Sequence, residues 1–261
     1  MVAVGAACNY FDWTVNQNSA GCSMSPATKA RVRPPDGGPD SSGAHAAGAA
    51  HPAPAPRKLS RDARRTQLIE ATIETIARHG YSRTTMSLVA RSAGLSHGLV
   101  NFHFETKEKL LVEVLLYLSE EYRRNWSSAL AAAGPSAPEQ IHAVLEADFR
   151  PEICTPSRIS TWCAFWGEAQ GRPMYQENCG SNDEAYNSML EELCARMNRE
   201  HGYDRDPARS ARILRVTSEG TWLDMMTLRT PYPADEARAT VMACAASLYP
   251  RHFDASGLIA P

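Results

Sequence analysis

Apolar residues return every three or four positions through most of the chain after Pro56. Leu68, Ile69, Thr72, Ile73 and Ile76 share one face of a helix expected over about 60–79, with Gly80 as its stop. Thr85 can cap a short second helix over 86–93. Gly94-Leu95-Ser96 then makes a tight turn, and Ser96 caps a third helix that ends near His103. Thr106 caps a long fourth helix, "KEKLLVEVLLYLSEEYRRNWSSAL". Further helices are expected at about 138–149, 156–170, 173–200, 207–228 and 234–248. Several open on proline, which suits the first helical turn. Strand-like alternation is absent, so the fold class is all-α.

The segment before Pro56 has neither period. From Ser25 to Pro56, 20 of 32 residues are Pro, Gly or Ala, which leaves little to bury. Residues 1–56 therefore read as a disordered arm. The opening "MVAVGAACNYFDW" has no basic n-region and is no secretory signal. No run of eighteen apolar residues exists, so no membrane partner is expected. Seven cysteines is an odd count without a C-x-x-C pair. That argues against a metal site or a disulfide framework and fits a reducing cytoplasm. No cofactor is expected.

The net charge of −2 conceals a division. Residues 57–110 hold ten Lys/Arg and five Asp/Glu, a balance of +5, and everything after them sums to −7. A basic module joined to an acidic one suggests that only the first meets a polyanion.

Within the basic module, "GLSHG" at 94–98 matches G-x-S-x-G, the nucleophile elbow of serine hydrolases. An elbow needs a hydrophobic strand running into the turn. Here "MSLVARSA" precedes it, an amphipathic helix. Ser96 as a hydrolytic nucleophile is thus the distant alternative, and no catalytic residue is expected. A helix-turn-helix explains more positions. Ala90 is small where two helices cross, Gly94 tolerates positive φ in the turn, and Val100 faces back from the second helix. That second helix would enter the major groove and offer Ser96, His97, Gly98, Asn101 and Phe102 outward. An Asn can bond adenine twice, and an apolar ring can touch a thymine methyl. His103 suits either base contact or packing beneath the helix.

"TTMSLVARSAGLSHGLVNFHFETKEKLL", residues 84–111, resembles the DNA-binding signature of TetR-type transcriptional repressors. The similarity extends back over "RRTQLIEATIETIARHGYSRTTM". It implies an N-terminal three-helix helix-turn-helix DNA-binding domain at 57–106. It also implies a C-terminal helical ligand-binding and dimerisation domain at 107–254, with 255–261 as a tail. By the same resemblance Thr85, the recognition helix and Lys107 contact a double-stranded operator. Arg57, Lys58, Arg61, Arg64 and Arg65 suit an arm reaching backbone or minor groove, or equally a solvated charge run.

"ISTWCAFWGEAQGRPMY" at 159–175 and "SEGTWLDMM" at 218–226 are similar to the choline-responsive, BetI-type repressors of glycine betaine synthesis. The resemblance implies a small effector, choline or a related quaternary ammonium. Such a cation is held by aromatic faces and a nearby carboxylate. Trp162, Phe165 and Trp166 on one helix, with Glu168, Tyr175, Glu219, Trp222 and Asp224, are the candidates. The same aromatics equally suit a helical core. A different apolar or cationic effector is the alternative within the family. Small and apolar residues along the last two helices suggest a four-helix homodimer interface.

Overall fold

The computed structural model describes residues 60–168 and 173–259. The arm expected over 1–56, Arg57, Lys58 and the expected helix end at Gln170 lie outside the described residues.

Ser60 accepts a hydrogen bond from the Ala63 amide and starts α1 at Arg61–His79. Thr85 caps α2 (Met86–Ser92), Ser96 caps α3 (His97–Phe104), and Thr106 caps α4 (Lys107–Ala132). These three caps are the ones expected, because each hydroxyl accepts from the amide three residues on. Ser136 and Glu139 form a capping box that begins α5 at Ala137–Ala147, ending it two residues before Phe149. Then follow α6 (Pro156–Glu168), α7 (Pro173–His201), α8 (Pro207–Thr227) and α9 (Ala234–Leu248).

Two strands, β1 (Phe253–Asp254) and β2 (Gly257–Leu258), close the chain as an antiparallel hairpin where only a helical chain and a tail from 255 were expected. Two-residue strands leave no alternation to read. The hairpin is nonetheless built: Phe253 is buried against α9, and Asp254 accepts from the Ser256 amide at 2.8 Å. Gly257 sits at φ +124°, and a Cβ there would meet His142 Nε2 at 2.8 Å, so only glycine fits.

The apolar face of α1 buries Leu68, Ile69, Ile73 and Ile76 against α2, α4 and α6. On α4, Leu111, Val114, Leu115 and Leu118 continue that core. It runs on through Ile141 and Leu145 of α5, Leu190 and Met197 of α7, Leu214 of α8 and Val241 of α9. Each fully buried aliphatic side chain contributes about 1.5–3 kcal/mol of transfer free energy. Among the described residues no helix is long and apolar enough to cross a membrane.

Candidate functional site

The α2–α3 pair has the geometry that its sequence implies. Gly94 takes φ +66° in the turn, and the Leu95 amide bonds the Ala90 carbonyl at 2.9 Å. Ala90 and Val100 are buried where the helices meet. Ser96, His97, Gly98, Asn101 and Phe102 are exposed along α3, with Phe102 at 69% of its free surface. The Phe102 ring meets His103 edge-on at 5.3 Å and leaves most of its surface open to a partner. Ser96 is a cap whose hydroxyl accepts from Leu99 at 3.3 Å, and a helix precedes its turn.

His103 does not join that exposed row. It lies under α3 at 9% exposure, and burial followed by the charges of Arg61, Arg65 and Arg64 pushes its pKa down. Arg65 likewise turns inward. It donates to the His103 carbonyl at 3.0 Å, pairs with Glu113 at 2.8 Å and covers the Phe104 ring. Arg61 is exposed, and Arg64 donates to Gln67. Lys107 donates to the carbonyls of Tyr81 and Ser82 at 3.2 and 3.1 Å, so its ammonium ties the α1–α2 loop to α4. Glu105, at φ +63°, ends α3 in the left-handed region and aims α4 away from it.

A cavity of about 270 Å³ opens among α4, α6, α7 and α8. Trp166 stands between Trp162 and Trp222, with ring centroids 6.1 and 6.4 Å away and planes tilted by 27° and 15°. Tyr122 meets Trp162 and Trp222 edge-on, at 6.4 and 6.1 Å. Tyr175 accepts from Trp166 Nε1 at 3.2 Å and points its hydroxyl at Asp183, 3.5 Å away. Of the residues expected at a ligand site, Trp162, Trp166, Tyr175, Glu219 and Trp222 line this cavity. Phe165 does not: it is 1% exposed and packs edge-on against Tyr81, at 5.6 Å. Glu168 is not in the wall either, and Asp224 accepts from Tyr232 in a separate groove beside α9.

Sequence reasoning missed the part of the wall that α4 supplies and, apart from Tyr175, the part that α7 supplies. From α4 come Ser119, Tyr122, Arg123 and Trp126; from α7 come Asn182, Asp183, Tyr186 and Asn187. The usable signal was the Tyr122–Trp126 pair, four residues apart on a face otherwise filled by leucine.

The charges around the cavity are unevenly matched. Arg215 holds both oxygens of Glu219 at 2.8 Å, and Arg123 holds both oxygens of Glu120 at 2.7 Å. Asp183 forms no ion pair among the described residues. Burial, then the charge of Glu219, raises its pKa to about 6, against the Tyr175 hydrogen bond and the Arg215 charge. Behind the wall Asp148 is 1% exposed and accepts from Tyr122 at 2.9 Å and Ser218 at 2.6 Å. The cavity is therefore aromatic, with Asp183 the carboxylate in its wall that can meet a monocation. No group of three metal-ligating side chains exists among the described residues.

Comparison with known proteins gives this arrangement a lineage. Residues 68–114 match the bacterial regulatory proteins of the tetR family, and residues 137–250 match the family described as BetI-type transcriptional repressor, C-terminal. The chain is 38% identical over 108 residues to the HTH-type transcriptional regulator BetI of Agrobacterium fabrum, spanning 41% of this chain and 52% of that protein. It is 31% identical over 169 residues to BetI of Paraburkholderia phytofirmans, covering 64% of this chain and 84% of that one. A transcriptional regulator from Saccharomonospora viridis, solved in complex with choline, shares the fold with a TM-score of 0.61. That match is 20% identical and covers 69% of this chain and 94% of the other. An exposed recognition helix on α1–α3 and matches along both halves lead to one conclusion: the chain belongs to the TetR family of transcriptional regulators, among its BetI-type repressors.

Proposed function

We propose that the protein binds a pseudo-palindromic operator as a homodimer and is released from it by a small quaternary ammonium compound, choline or a close trimethylammonium relative. The observation that carries the ligand class is the meeting, in one cavity wall, of three indoles with Asp183, a carboxylate without an ion pair among the described residues. A trimethylammonium group donates no hydrogen bonds and is attracted to the faces of tryptophan rings. The carboxylate supplies the opposite charge. The choline complex of the S. viridis regulator supports the same class.

On DNA, residues 57–106 act as the head and α4 onward as the effector and dimer part. His97, Asn101 and Phe102 are the base readers. Thr85, Ser96 and Gly98 sit close to the backbone, with Arg61, Arg64 and Lys107 supplying positive charge. Exposed Ile213, Val216 and Leu223 follow one stripe of α8, with Gly220 between them. Pairing that stripe with a two-fold copy buries it and spaces two recognition helices one DNA turn apart, about 34–36 Å. The effector favours a conformation that the operator does not, which is a population shift. Titration calorimetry with choline, followed by operator binding with and without it, tests the reading. An affinity weaker than millimolar removes choline from the scheme.

A further inference from the structure

Outside the cavity, the densest cluster of charge centres on one guanidinium. Arg158, in the first turn of α6, donates from Nε and Nη2 to Glu121 of α4 at 2.7 and 2.8 Å. The same group reaches Glu70 of α1, Nη2 to Oε1 at 3.0 Å and Nη1 to Oε2 at 3.4 Å. Tyr117 of α4 donates to Glu70 at 2.8 Å. Only 16% of the Arg158 side chain is exposed, so solvent screens these bonds weakly. A planar fork with five donors can hold one carboxylate bidentately and still reach a second on another helix.

The location gives the cluster its meaning. On α6, Arg158, Thr161 and Phe165 face α1. Thr161 donates to the Ile73 carbonyl at 3.4 Å, and Phe165 packs on Tyr81 at the end of α1. Trp162 and Trp166 occupy the neighbouring stripe of the same helix and wall the cavity. On α4, Glu121 immediately precedes Tyr122, another wall residue. One rigid helix thus touches the effector with one face and the scaffold of the DNA head with the other.

We propose that Arg158 is the positioning residue that couples the cavity to the head, with Glu70 as its grip on α1 and Glu121 as its grip on α4. An effector that shifts Trp162 and Trp166 moves α6, and the clamp passes that movement to α1. Because linkage is reciprocal, an operator that fixes α1 must also be felt in α6. The proposal rests on the reading of the cavity as an effector site.

The decisive variant is Glu70→Gln. It keeps the volume and an oxygen for Tyr117, and it leaves Arg158 paired with Glu121, so no buried charge is stranded. The probes are choline chloride and a duplex selected by the wild-type dimer from random sequence. Coupling is the ratio of duplex Kd with and without saturating choline, typically about 5- to 150-fold for a linked pair of sites. Glu70→Gln and Arg158→Lys should bring the ratio below about twofold while choline affinity and thermal midpoint stay near wild type. An undiminished ratio in both variants overturns the proposal. Should choline leave wild-type DNA binding unchanged, the choline reading fails, and hydrogen exchange decides on the clamp. Duplex binding should slow amide exchange across α6 in the wild type and not in Glu70→Gln. No response in the wild type, or the same response in both proteins, overturns the clamp.

Discussion

Trp166 and Trp222 lie with their ring planes 15° apart and their centroids separated by 6.4 Å, although one belongs to α6 and the other to α8. Trp222 is fully packed, while Trp166 is half-buried and faces the cavity. The pair divides two duties that tryptophan can serve. Trp222 holds α8 to the wall, and Trp166 offers a face.

Replacing Trp166 by Ala should therefore weaken choline binding by about three- to thirtyfold, because a desolvated cation–π contact is worth about 0.5–2 kcal/mol. Phe at this position should cost less, since a ring remains. Calorimetric titration of folded variants measures both. A silent Trp166→Ala in a protein that binds choline would move the cage away from this indole.

Effector binding should depend on pH through Asp183. Its raised pKa of about 6 means that the carboxylate charge is present above that value and fades below it. A cation requires the charged form, so choline affinity should fall about tenfold from pH 7.5 to pH 5 as nine in ten carboxylates become protonated. Asp183→Asn should bind weakly at both values and show a shallower profile than wild type, the remainder tracking Asp148 behind the wall. A wild-type profile as shallow as the variant's would exclude Asp183 as the counter-charge.

The DNA head was legible almost residue by residue because its determinants are local. A hydroxyl cap, a glycine at positive φ and a small residue at a crossing each announce themselves within a few positions. The cavity was legible on α6 and α8 for the same reason. Trp162 and Trp166 share a face at four-residue spacing. Phe165, one position from Trp166, was misplaced because a rotation of about 100° per residue carries it to Tyr81, and sequence does not say which side of α6 the head occupies. Asp183 sits in the polar run "SNDEAYN", where an acid reads as solvated. Only the packing of α7 against α4 and α8 brings it into the cavity wall. The terminal hairpin escaped because its signal is two residues per strand.

On the DNA side, Asn101→Ala should weaken operator binding by about 1–3 kcal/mol and relax preference at one base pair, with stability unchanged because the side chain is exposed. Lys107→Ala should behave differently. Its ammonium holds two carbonyls of the α1–α2 loop, so a lowered melting temperature should accompany weaker binding. Fluorescence anisotropy on a duplex series, together with thermal melts, separates the two.

Self-association should fail when a charge enters the α8 stripe. Leu223 is 50% exposed and Val216 51% exposed in the single chain. Leu223→Glu places a carboxylate in the apolar stripe proposed to meet its two-fold copy. Sedimentation should show a dimer becoming a monomer, and operator affinity should drop with it. A Leu223→Glu protein that remains dimeric would place the interface elsewhere.

One buried charge works against the fold. Asp148 is wholly buried, and burial raises its pKa to about 6 in spite of hydrogen bonds from Ser218 and Tyr122. An acid whose folded pKa lies above its ordinary value of 3.8 favours folding while protonated. The contribution is fully present below about pH 4 and is lost as pH rises through 6. The loss is about 3 kcal/mol for a shift of this size. Asp148→Asn keeps an oxygen for Tyr122 and turns an amide towards the Ser218 hydroxyl, which can rotate to accept it. The variant should be more stable than wild type by about 2–3 kcal/mol at pH 7.5 and nearly equal at pH 4. Chemical denaturation at the two values measures this, and equal stability at both would show that the fold does not raise the Asp148 pKa. Tyr122, which donates to this carboxylate, is itself a wall of the cavity. The destabilising charge therefore stands directly behind the surface that a cation would meet, and the same variant should bind choline more weakly at pH 7.5 while folding more tightly.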